Sequence, residues 1–167
     1  MPASGTPAID LVRQAKVVHE VRTYQPPARH GRERDERPDY GLEAAAALGV
    51  SPSRVFKTLI AAVDGRLVAA VVPVDRLLDV KALAAAVGGR RADLADPVAA
   101  ERASGSVVGG ISPLALRRPL PVIVDRSVHE HPTVLVSAGR RGLQLELAPA
   151  DLVQLAGAAV APIARAG

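Results

Sequence analysis

The sequence predicts an α+β (mixed α/β) domain, a single curled mixed sheet flanked by helices, and three observations predict it. Apolar runs rich in β-branched residues alternate with short Ala-rich segments that carry helix caps. Asp64-Gly65 lies between two such runs and marks an antiparallel hairpin. The order of strand-like and helix-like segments is irregular and no repeat is evident, unlike a Rossmann or TIM layout. A chain of 167 residues suits one domain, spanning residues 1–167, with a sizeable core.

Taken in order, Thr6-Pro7 reads as an N-cap followed by proline in the first helical position, with Ile9, Leu11, Val12 and Ala15 as the apolar stripe. Val17 to Tyr24 alternates and reads as a strand. Gln25 to Asp39 is Pro-rich and then carries charges of both signs, the pattern of an exposed loop. Leu42 to Leu48 is a helix ended by Gly49, and Ser51-Pro52 opens one more turn. Phe56 to Val63 and Leu67 to Val74 are the hairpin strands. Asp79 caps a helix through Val87, and Asp96-Pro97 caps another that Gly105 closes. Val107 to Pro113 is a glycine-centred loop. Val122 to Val124, Val134 to Val136 and Leu143 to Leu147 are short strands, with a turn at Ala138 to Gly142. Pro149 to Leu155 is the last helix.

Composition narrows the function. There is no cysteine, which removes disulfides, thiolate metal sites and a cysteine nucleophile together. The aromatic residues are Tyr24, Tyr40 and Phe56, too few for a base-stacking platform. A net charge of +4 fits an RNA partner touched locally, and equally a simple bias toward Arg. Neither a secretory leader nor an apolar run of about 20 residues is visible, so a cytoplasmic protein without membrane contact is expected.

Lys57 is the most informative residue. It shares a strand face with Leu59, Ala61 and Val63 while Phe56, Ile60 and Ala62 line the other, so its ammonium starts from an internal strand. It either faces a polar cavity or snorkels from the strand end. Gly109-Gly110-Ile111-Ser112-Pro113 offers backbone that a ligand can approach, although a paired glycine alone is often only a tight turn. The segment matches neither a nucleophile elbow nor a P-loop. Ser137 to Gly142, with Arg140 and Arg141, suits either a phosphate or a solvated hairpin. His129 and His131 lack a third ligand at a recognised spacing, so no metal is expected.

Read together and in order, Phe56-Lys57-Thr58-Leu59, Asp79-Val80-Lys81, Ala95-Asp96-Pro97, Val108-Gly109-Gly110-Ile111-Ser112-Pro113, Val136-Ser137 and Arg141-Gly142-Leu143 resemble the YbaK/EbsC family. The resemblance runs from about Pro7 to the end. It implies a curled mixed sheet, an aminoacyl-tRNA substrate and no metal or cofactor. The implied activity is trans-acting deacylation of cysteinyl-tRNA(Pro), extending to cysteinyl-tRNA(Cys). Its partners would be the tRNA acceptor end and prolyl-tRNA synthetase.

By the same resemblance Lys57 is the functional lysine, and Gly109 and Gly110 face the aminoacyl carbonyl. Thr58 lies beside Lys57, Tyr24 and Tyr40 edge the pocket, and Ser137 is a polar wall. Ser112 and Arg140 complete the substrate-binding set. Ala138, Gln144 and the long 25–39 loop depart from the family pattern. The alternatives are hydrolytic editing of alanyl-tRNA(Pro) and a non-catalytic module that binds aminoacyl-tRNA or a synthetase.

Overall fold

The computed structural model describes residues 5–26 and 39–167. Helix α1 (Pro7–Ala15), strand β1 (His19–Thr23) and helix α2 (Tyr40–Leu48) come first. Strands β2 (Val55–Val63), β3 (Arg66–Pro73) and β4 (Arg76–Leu78) lead to helix α3 (Val80–Ala86). Strand β5 (Ala92–Leu94), helix α4 (Pro97–Ser104) and strands β6 (Val122–Asp125), β7 (Val134–Arg140) and β8 (Leu143–Leu147) follow. Helix α5 (Pro149–Ala156) and strands β9 (Ala159–Ala161) and β10 (Ala164–Ala166) end the chain.

Side-chain caps fix where four of the helices begin. Thr6, Asp39, Asp79 and Asp96 each accept a hydrogen bond from an N–H three residues on, at 2.9–3.2 Å. Asp39 was expected to end the charged loop; as a cap it starts α2 at Tyr40, two residues before Leu42. The rest of that expected loop, residues 27–38, lies outside the described residues. The hairpin forms at Asp64-Gly65, with φ of 50° and 84°, the doubly left-handed turn whose twist suits the flanking strands.

The sheet runs in the order β1-β8-β7-β2-β3-β6-β9, with β5 pairing β2 beside that path. β2 with β7, β3 with β6 and β6 with β9 are parallel; the remaining pairs are antiparallel, so the sheet is mixed. β10 and β4 form a separate two-stranded ribbon. The turn expected at Ala138 to Gly142 is smaller than that: β7 continues to Arg140 through a register shift between Ser137 and Arg140. Arg126–Glu130 forms a 3₁₀ turn, with His129 exposed.

Alternation along the strands separates two faces. Phe56, Ile60, Ala69, Val71, Val136, Ala138, Leu143, Leu145 and Leu147 bury themselves against Ile9 and Val12 of α1, Ala100 of α4 and Leu152 of α5. On the opposite face, Ala61, Val63, Ala70 and Val72 pack against Leu83 and Ala84 of α3. Val55 and Leu135 pack there against Ala45 of α2. This is one domain with helices on both sides of a mixed sheet, as the sequence predicts.

Candidate active site

The sheet opens where Lys57 stands. The β7 ladder holds β2 only at Val55 and Phe56, and the β5 ladder resumes at Ala61. Between them Ile60 accepts a bond from the Ala95 N–H at 2.9 Å, so Lys57 to Leu59 keep a paired neighbour, β3, on one side only. The edge of β2 is thus open between the two ladders, a break in pairing of the kind at which open α/β sheets hold their ligands. Lys57 is half-buried, on the face of Val55 and Val72, and no carboxylate pairs with it among the described residues.

The loop before β6 lies against the end of β7, and five bonds hold it. Val108 N–H donates to Glu101 of α4 at 2.9 Å, and the Arg141 guanidinium donates to the Val108 carbonyl. Gly110 N–H donates to Val107 at 2.9 Å, while the Gly110 carbonyl accepts from the Ser137 hydroxyl at 2.9 Å. Both glycines are required by contact. A Cβ on Gly109, which has φ 89°, would stand 2.4 Å from the Tyr40 ring, and one on Gly110 would stand 2.8 Å from the Arg140 Cα.

These contacts also divide the work of the glycines. The Gly110 N–H is spent within the loop, whereas the Gly109 N–H has no acceptor among the described residues. Of the two glycine N–H groups, only that of Gly109 is unbonded among the described residues.

Tyr40, the first residue of α2, lies between Gly109 and Arg141, whose guanidinium carbon sits 4.0 Å from the ring centroid. Tyr24 reaches the same rim through its backbone, with its N–H bonded to the Gly142 carbonyl at 3.0 Å. Arg140 is exposed beside Gly110. The structure thus brings Tyr24, Tyr40, Gly109, Gly110, Ser137 and Arg140 to one end of β7.

Two expected members stand elsewhere. Thr58 follows Lys57 in the chain, but alternation turns it to the opposite face with Val71, where its buried Oγ1 has no partner. Ser112 lines a separate cleft of about 300 Å³ with Thr6, Ser104 and Gly139, and its Oγ accepts from the Leu114 N–H.

Sequence reasoning missed one set of polar residues on the Lys57 face. Glu146 accepts from Arg22 at 2.7 Å, Arg54 at 2.9 Å and the Thr133 hydroxyl at 2.6 Å. The Thr133 hydroxyl, ahead of the two guanidinium groups, holds the Glu146 carboxyl below its ordinary pKa against the opposing effect of burial. Among the described residues no group of three or more His, Asp or Glu is placed to hold a metal ion, and no helix is long and apolar enough to cross a membrane.

Comparison with known proteins places this arrangement. The family model of the aminoacyl-tRNA editing domain matches residues 39–155. A protein of Enterococcus faecalis provisionally named Cys-tRNA(Pro)/Cys-tRNA(Cys) deacylase EbsC is 34% identical over 113 residues, 66% of this chain and 68% of that one. Proline–tRNA ligase of Moorella thermoacetica is 35% identical over 103 residues, which span 62% of this chain and 18% of the ligase. The crystal structure of a hypothetical protein superposes with a TM-score of 0.82 at 28% identity, covering 96% of this chain and all of the other (100%). A structure provisionally described as a trans-editing enzyme for prolyl-tRNA synthetase shares the fold, with a TM-score of 0.76 at 24% identity over 97% of this chain and 99% of that one. With its two-sided sheet, its bolted glycine loop and a family match over most of its length, the chain belongs to the aminoacyl-tRNA editing domain family.

Proposed function

We propose that this chain is a trans-acting deacylase that removes cysteine from tRNA(Pro), and from tRNA(Cys) by the same chemistry. The reading is supported by two groups left without partners among the described residues, the Lys57 ammonium beside the end of the β7 ladder and the Gly109 N–H in the loop bonded to Ser137 of β7. An ester carbonyl held there meets a donor for the developing oxyanion, and one such donor is worth about 2.7–4 kcal/mol. Lys57 adds positive charge beside the acceptor-end oxygen atoms. Tyr24 and Tyr40 border the aminoacyl group, and Arg140 faces the phosphate side. The working place is the cytoplasm, with the tRNA acceptor end as ligand and prolyl-tRNA synthetase as the source of mischarged tRNA.

The nucleophile comes from the substrate. The Ser137 hydroxyl donates to Gly110, so it is committed to holding the loop. A cysteinyl ester carries its own thiol, and a usable thiolate fraction exists at neutral pH. The sulfur attacks the ester carbon, the bond to the ribose oxygen breaks, and that oxygen takes up a proton. Water then opens the cyclic thioester to free cysteine. Holding the sulfur and carbonyl in reactive geometry lowers the barrier by up to about 7–11 kcal/mol in favourable models.

The test is release of the amino acid from cysteinyl-, seryl-, S-methylcysteinyl- and alanyl-tRNA(Pro) at saturating enzyme. Cysteine is expected to leave faster than serine by more than the roughly 200-fold that pocket fit alone supplies. Rapid release of serine or S-methylcysteine would show that bound water attacks, and alanyl-tRNA editing would then be the better reading. Binding of these tRNAs with no release above the spontaneous rate would make the chain a binding module.

A further inference from the structure

The face that bears Lys57 carries a row of polar side chains running across four strands. Phe56 pairs with Val136, so Lys57 and Ser137 are the next residues on β2 and β7 and share that face. Ser137 pairs with Gln144 on β8, and Gln144 pairs with Arg22 on β1. Two members of this row are already engaged. Ser137 donates to the Gly110 carbonyl and accepts from the Gly139 N–H, and Arg22 is drawn to Glu146. The other two, the Lys57 ammonium and the Gln144 carboxamide, have no hydrogen-bond partner among the described residues.

Gln144 is only 6% exposed, and its Oε1 is a buried acceptor without a donor. Leaving such an oxygen unpaired is destabilising, which a purely structural position would avoid with an apolar side chain. Lys57 offers donors, and Gln144, one strand beyond Ser137, offers an acceptor. A ligand that satisfies both must present an acceptor and an N–H donor a few bonds apart. The α-amino ester of an aminoacyl-tRNA has that pattern: a carbonyl, with an ammonium on the next carbon.

We propose that Gln144 is a substrate-specificity residue, whose side-chain carbonyl accepts a hydrogen bond from the free α-ammonium of the aminoacyl group. A half-turn of the carboxamide exchanges the positions of its oxygen and nitrogen. Because the amide is neutral, it takes the ammonium without forming an ion pair with Lys57, whose charge stays available to the ester. This assignment rests on the deacylase reading and adds a prediction of its own: the enzyme distinguishes a free amine from a blocked one.

The experiment compares cysteinyl-tRNA with N-acetylcysteinyl-tRNA in wild type, Gln144→Leu and Gln144→Met, with a thermal midpoint for each protein. Wild type is expected to prefer the free amine in kcat/KM by about tenfold or more, the value of one hydrogen bond to a charged group. Both variants should cut that ratio to within about twofold while leaving the N-acetyl rate in place and the midpoint unchanged or raised, since an unpaired buried oxygen has been removed. An unchanged ratio in the variants, equal slowing of both substrates, or a wild type indifferent to acetylation would overturn the proposal. If wild type releases neither amino acid, it is the deacylase reading that fails. Gln144 is then judged by equilibrium binding of 3′-deoxy-3′-(cysteinylamino)adenosine against its N-acetyl form. Preference for the free amine in wild type and its loss in both variants support the assignment, and any other pattern overturns it.

Discussion

Gln144 and Glu146 lie two residues apart on β8 and point to the same face, yet their surroundings are opposite. Glu146 is saturated by two guanidinium groups and a hydroxyl, and every one of its contacts is internal. Gln144 is buried and Lys57 half-buried, and the described residues offer neither a hydrogen-bond partner. The difference separates polar groups that hold the fold from those proposed to meet the ligand. The Glu146 cluster joins β1, β8 and the segments preceding β2 and β7; the Lys57 row begins at the place where β7 and β5 leave β2 unpaired.

Breaking the saturated contacts should cost stability. The largest loss is expected from Gly110→Val, whose side chain would drive into the Arg140 and Arg141 backbone at 2.8 Å. Thermal or urea unfolding should show a loss of about 3 kcal/mol. Asp125→Asn comes next. The Asp125 carboxylate is 3% exposed and accepts from Ile163 and Ala164 at 2.9 Å and from Ser127 at 2.6 and 3.1 Å, fastening the chain end to β6. A carboxamide cannot accept all four bonds, and a loss of about 2 kcal/mol is expected.

Acid titration sharpens the same contrast. Burial alone would raise the Asp125 pKa, but the bonds from Ser127, Ile163 and Ala164 outweigh it, and the value in the folded protein lies below the ordinary one. Glu146 is lowered as well. A lowered folded pKa means that the unfolded chain binds more protons, so both contributions are present above about pH 4 and fade as pH falls through the folded values. Unfolding free energy should therefore decline on acidification below about pH 4, and with a shallower slope in Asp125→Asn. The smallest effect is expected at Thr58. Thr58→Val removes an unpaired buried hydroxyl on the far face and should leave stability unchanged or raise it by about 1 kcal/mol.

Much of this was legible in the sequence, where local chemistry dictates structure. Asp64-Gly65, Asp79 and Asp96 mark their turn and caps, and the two-sided apolar pattern around Lys57 placed it on an internal strand. Strands of three residues such as β5 and β9 are too short to show a period, and Gly139 reads as a turn because nothing local reveals that β7 continues through it. The contacts of Glu146 join residues 124 and 92 positions apart. Register decides them, and register becomes visible only once the sheet is assembled. Gln144 stood out in the sequence only as a departure from the family pattern; its unpaired oxygen is visible only in the folded structure.

On the proposed function, the unsaturated row works on substrate while the saturated cluster holds the fold. Deacylation of cysteinyl-tRNA(Pro) and the thermal midpoint, measured together on Lys57→Ala and Glu146→Gln, test it most directly. Lys57→Ala should lose activity by about 100-fold or more and change stability by about 1 kcal/mol or less. Glu146→Gln should keep its activity per folded molecule and lose about 1–3 kcal/mol. A Lys57→Ala protein with near-normal activity, or one destabilised as much as Glu146→Gln, would contradict the account.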